Sequence, residues 1–254
     1  SFFTLTITGM TLKFSYMEWA STISHLLGGF SVTGVLHRGA AVALLALFAF
    51  HLRQVVQMRR ASGKSWWAYV TDQDSMLPNV RDGQHLWANL RWFFGRGERP
   101  QYSRFTYWEK FDYFAVFWGV FIIGGTGLIL WFPTFFTRFM PGWVVNVATI
   151  IHSDEALLAT AFIFTIHFFN THFRPDKFPM DPVIFTGRVA LDELEHDKPG
   201  EYAQLMALPD PEARMAGPVS ERRMKWIRIF GFTAVGIGLS LVGLIIYAML
   251  YAYR

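Results

Sequence analysis

Four of the eight histidines in this chain share an arrangement: His37 and His51 stand fourteen residues apart, His152 and His167 fifteen. Imidazole is the side chain best suited to ligate a metal or pass a proton near neutral pH. At about 3.6 residues per turn both spacings are close to four turns, so each pair falls roughly on one helix face, about 21 Å apart along the axis. Both pairs lie in apolar surroundings, "VLHRGAAVALLALFAFHLRQ" and "ATIIHSDEALLATAFIFTIHFFNTHF". A lone histidine in a membrane helix is commonly hydrogen-bonded to a neighbour or part of a proton path. Two pairs at matching depth on two helices that run the same way present two imidazoles at each of two levels. Such a set fits two haem groups, whose iron takes imidazole on both axial faces: His37 with His152, and His51 with His167.

The elements that must hold these residues are membrane helices. The 254 residues are 52% hydrophobic and 18% aromatic, more apolar than a soluble chain of this length needs to be. Four runs, at 29–52, 113–132, 147–172 and 229–253, approach or exceed the 20 or so apolar residues that cross a bilayer as a helix. The uncharged opening "SFFTLTITGMTL" reaches only about 18 Å as a helix, which predicts the second half of a first span, with no basic region or cleavage site of a signal peptide around it. The expected fold is an all-α membrane protein. About five transmembrane helices, the first truncated, bundle around two stacked haems in one domain over 1–254, with cytoplasmic loops at about 53–112 and 173–224.

Charge sets the expected orientation. Of the 23 Lys and Arg, ten lie between Arg53 and Lys110 and nine between Arg174 and Arg228. The positive-inside bias places both stretches in the cytoplasm, the N-terminus inside and the C-terminus outside. On that orientation His37 and His152 lie near the outer surface, and His51 and His167 near the inner one. The net charge of +4 is therefore a topology signal rather than a sign of nucleic-acid binding. With no cysteine, the chain has no disulfide, no cysteine-ligated iron–sulfur cluster and no covalently attached c-type haem of its own.

Other residues carry weaker signals. His172 lies five residues past His167, about 140° round an α-helix, and so is expected to point away from the shared face, toward a propionate, a quinone or water. His25, His85 and His196 read as solvated loop residues. Arg38, beside His37, could pair with a haem propionate or reach lipid headgroups. Gly119, Gly124, Gly125 and Gly127 on one run would admit either a porphyrin or a closely packed helix. In the first long loop, Leu86, Trp87, Leu90, Phe93 and Phe94 recur at helical spacing, as in an amphipathic helix lying on the membrane surface. Neither long loop holds a phosphate-binding glycine loop, a nucleophile elbow or a zinc motif.

Two other classes accommodate membrane histidines. A proton relay or transporter subunit would favour intramembrane carboxylates, but only Asp154 and Glu155 are available, and they read as acids opposing a helix dipole near the outer end of the fourth run. A haem-free anchor for a peripheral enzyme would leave four matched histidines without a purpose.

The stretches "LTITGMTLKFS", "GVLHRGAAVALLALFAFHL", "YWEKFDYFAVFWG" and "IIHSDEALLATAFIFTIHFFNTHFRPDKFPMD" resemble the membrane-bound dihaem cytochrome b subunits of bacterial respiratory oxidoreductases. These are the formate dehydrogenase gamma, nickel–iron hydrogenase and thiosulfate reductase cytochrome b types, and the likeness runs to about residue 185. The histidine spacings are also similar to those of the quinol-oxidising cytochrome b of bc-type complexes. The resemblance implies an electron wire in the bacterial inner membrane, between the quinone pool and a multihaem cytochrome c or iron–sulfur subunit on the outer face. His37 and His152 would ligate the outer haem, His51 and His167 the inner one. Quinone would bind on the cytoplasmic side, with His172, Asn170, Lys110, Asp112 and Tyr113 gating its protons.

Overall fold

The computed structural model describes residues 1–175 and 177–251, and these are helices and loops, with no strand among the described residues. In chain order the helices are α1 (Phe2–Lys13), α2 (Glu18–Leu26), α3 (Phe30–Ala61), α4 (Trp66–Val70), α5 (Val80–Phe93), α6 (Tyr107–Trp131), α7 (Trp143–Phe173), α8 (Leu191–Asp197), α9 (Pro199–Met206) and α10 (Glu221–Tyr251), with single turns between some of them. Four of these, α3, α6, α7 and α10, are long and apolar enough to cross a membrane, at 32, 25, 31 and 31 residues.

Helix α3 outruns its apolar stretch by nine residues. Arginine, glutamine and methionine continue a helix at little cost, so the backbone keeps winding through "RQVVQMRRA" until Gly63, whose φ of +66° suits the left-handed end of a helix. Helix α10 starts eight residues ahead of its apolar run for the same reason. Helix α7 begins at Trp143, so Asp154 sits well inside it and is not a first-turn acid. Its partner is Lys13 of α1, at 2.9 Å.

The chain divides into two compact units. The first comprises 1–56, 117–179 and 230–251. Its core is small. Met10, Phe14 and Ala20 meet Ile245 and Ala248 at one level, and Phe164, Phe168 and Leu241 gather Phe2, Phe3 and Ile7 at another. Outside these contacts the long helices carry large apolar side chains on their surfaces, among them Phe121 (65% exposed) and Leu158 (62%). Outward-facing apolar residues on long helices are what hydrocarbon, as solvent, demands. Gly238 of α10 lies against Phe168 and Phe164. A methyl there would come within 2.5 Å of one ring and 2.7 Å of the other. Gly238→Ala is accordingly expected to destabilise the fold by about 1–3 kcal/mol through overpacking. A thermal melt in detergent checks this, and an unchanged midpoint would contradict it.

The second unit is Gln57–Val116 with Met180–Ile229, so the two stretches read as loops fold on each other. Lys198 binds Glu109 at 3.0 Å and the Arg104 carbonyl at 2.7 Å, while Arg99 meets Asp197 and His196. The Gly200 N–H donates to the Tyr102 carbonyl, and a methyl at Gly200 would lie 2.9 Å from that oxygen. Helix α5 forms where the apolar spacing predicts, opened by a capping box in which Asn79 and Asp82 satisfy each other's end of the turn. Its polar face turns inward: Asp82 pairs with buried Lys110 at 3.0 Å, and Asn89 donates to the Tyr107 hydroxyl. Its apolar residues Leu86, Trp87, Leu90 and Phe93 face outward. His85, read as solvated, instead sets its ring 5.5 Å from that of Tyr102, with its Nδ1 buried. Burial pushes the Tyr102 phenol up to about 12. His25 is exposed, and so is His196, which bonds Arg99.

Candidate metal centre

Helices α3 and α7 bring His37 and His152 together within the first unit, their ring centroids 6.2 Å apart and their planes at 83°. The hydrogen bonds around them fix which nitrogen carries the proton. Thr8 Oγ1 lies 2.9 Å from His37 Nδ1, but its own single proton goes to the Thr4 carbonyl at 2.6 Å. Thr8 can therefore only accept, and His37 Nδ1–H donates. His152 Nδ1 lies 2.9 Å from the Ile123 carbonyl, which also can only accept, with Thr126 Oγ1 alongside at 3.4 Å. Both rings thus carry a proton on Nδ1.

A ring nitrogen that donates to a carbonyl or hydroxyl while the other faces a metal is the usual outer-shell arrangement of a ligating histidine. With metal–nitrogen bonds of about 2.0–2.1 Å and about 1.1 Å from nitrogen to ring centre, two imidazoles on opposite faces of one metal have centroids about 6.3 Å apart. The observed 6.2 Å fits a single intervening metal atom. Among the described residues no group of three or more His, Asp or Glu could hold a metal ion.

The seats under the two rings repeat. Each consists of an apolar residue, two others, then threonine and glycine: Leu5 to Gly9 in α1 and Ile123 to Gly127 in α6. A methyl on Gly9 would lie 3.2 Å from His37 Cε1, and one on Gly127 would lie 3.0 Å from His152 Cε1. Thr8, Gly9 and Thr126 are the neighbours of the two rings that sequence reasoning missed. The Thr-Gly dipeptide, present in the first and third apolar stretches, was the available signal. Gly124 does something simpler. Its nearest neighbour across the helix pair is Leu45 at 3.7 Å, ordinary van der Waals distance.

The deeper histidines sit on the same two helices. His51 sets its ring 6.2 Å from that of Phe117. His167 closes a π-helical turn, Ile163–His167. Such a turn takes up one residue more than an α turn, so fifteen residues wind through about the angle of fourteen α-helical ones. That is close to the His37–His51 spacing. A second wide turn, Phe169–Phe173, reduces the offset of His172 from His167 from about 140° to about 40°. His172 stands on this turn. It is buried, donates Nδ1–H to the Pro179 carbonyl at 2.8 Å, and packs 4.4 Å from the Phe168 ring.

Arg38 is exposed. Its Nε donates to the Gly34 carbonyl at 3.2 Å, and its guanidinium lies 5.8 Å over the Trp131 ring. Lys110, one of the residues expected to gate quinone protons, is held in its buried pair with Asp82. No protein-family model, curated protein or solved structure matches this chain.

Proposed function

We propose that the chain is an integral-membrane dihaem cytochrome b subunit of the inner membrane of a bacterium, carrying electrons between the quinone pool and a redox partner on the outer face. The observation that carries this reading is the His37–His152 pair, with a metal-spanning separation and both Nδ1 protons given to oxygen acceptors. His51 and His167, on the same helices, would hold the second haem. Bound between imidazoles, each haem supplies one-electron chemistry. The chain's part is to orient the rings, fix their tautomer and bury them among apolar side chains. Having no cysteine, it leaves the next centre to another subunit, a multihaem cytochrome c or an iron–sulfur protein.

The proton-relay reading fares less well, because Asp154, the nearest carboxylate in sequence, is paired with Lys13. The test is reduction of the purified protein by a short-chain quinol, followed in the visible spectrum. We expect the α-band to appear with quinol alone. An α-band that appears with dithionite but never with quinol would remove the quinone pool from the account.

A further inference from the structure

We propose that Thr8 is a positioning residue, one that sets the tautomer and plane of the His37 ring and through them the potential of the haem that ring ligates. This rests on the dihaem reading and adds a residue to it.

The two seats are built alike but depend on different atoms. At His152 the 2.9 Å acceptor is the Ile123 main-chain carbonyl, and the Thr126 hydroxyl stands off at 3.4 Å. Ile123 lies in a π-helical turn, Val120–Gly124, and widened turns of this kind skip one carbonyl of the helical ladder. No side-chain change at 126 removes that acceptor. At His37 the 2.9 Å acceptor is the Thr8 hydroxyl, with the Leu5 carbonyl beside the ring. Thr8 is itself 2% exposed and its proton is tied to Thr4, so its lone pair faces the imidazole with no freedom to turn away. Gly9, one residue on, closes the ring in from the Cε1 edge. Removing the hydroxyl takes away the 2.9 Å acceptor and leaves the His37 N–H to the Leu5 carbonyl.

Two observables follow. An imidazole that donates a hydrogen bond is a more basic ligand and favours ferric over ferrous iron, so losing the acceptor raises the midpoint potential. A haem iron held between rings crossed at 83° would have its two π-type d orbitals nearly equal in energy. Ferric low-spin iron between such rings gives a very anisotropic paramagnetic resonance signal, which becomes more rhombic as the planes approach each other.

The experiment is a redox titration with parallel low-temperature electron paramagnetic resonance on wild type, Thr8→Val, Thr8→Ser and His25→Ala, each first quantified for haem. Thr8→Val keeps the side-chain volume and is expected to retain both haems. One midpoint should rise and its resonance should move, with the other haem unchanged. Thr8→Ser should restore the wild-type values, and His25→Ala, at an exposed position on α2, should leave them in place. A Thr8→Val protein with both haems at wild-type midpoints and lineshapes would overturn the proposal, as would equal shifts in His25→Ala. A wild-type protein that binds no haem would instead remove the dihaem reading on which it stands.

Discussion

If the chain holds the two proposed haems, replacing His152 with alanine is expected to lower the haem content of the purified protein from two per chain to one and to abolish electron delivery to the proposed outer partner. The reason is geometric. His37 and His152 are the two rings 6.2 Å apart, and with one removed the other keeps a single Nε2 lone pair where a bis-imidazole group needs two. His152 is only half-buried and lies outside both apolar clusters, so the fold should survive the change. His25→Ala, at an exposed position on α2, is the matched control and should leave both haems in place. Pyridine haemochrome quantitation reads the result. Two haems retained in His152→Ala would break the proposed pairing.

The second large effect belongs to the other unit. Lys110→Ala should destabilise that unit by about 3–5 kcal/mol, the range for stripping one partner from a buried ion pair. The Lys110 and Asp82 side chains are 3% and 10% exposed, so the remaining carboxylate would keep little contact with water. Asp82 retains one donor, the Asn79 N–H at 2.7 Å, which neutralises nothing. The double change Lys110→Met with Asp82→Asn should recover much of the loss, because asparagine still accepts from Asn79 and no buried charge is left alone. Protease susceptibility of the 57–116 and 180–229 stretches measures both. A Lys110→Ala protein as resistant as wild type would show the pair to be dispensable.

The sequence made the spans and the paired histidines legible, because bilayer thickness and helix pitch constrain them directly. It could not show the π turn at Ile163–His167, because side-chain periodicity assumes a uniform helix. The same assumption hid the second wide turn, Phe169–Phe173, on which His172 stands. Nor did polarity mark the seats. A threonine in an apolar run reads as neutral filler, yet Thr8 and Thr126 each satisfy their own proton on the preceding turn and so offer a lone pair to a histidine. Helix α5 was found from its apolar spacing, but the spacing does not say which face is buried. Lys110 answers that, since its ammonium needs Asp82. Asp154 was misassigned for a plainer reason: α7 starts at Trp143, ahead of its most apolar stretch, and that moves the acid away from the helix end.

The central claim, two haems held by two histidine pairs, is tested most directly by the dithionite-reduced minus oxidised spectrum of the purified wild-type protein, with its haem content measured per chain. The account predicts a b-type α-band and two haems. A protein isolated intact from haem-replete membranes with no such band would contradict it.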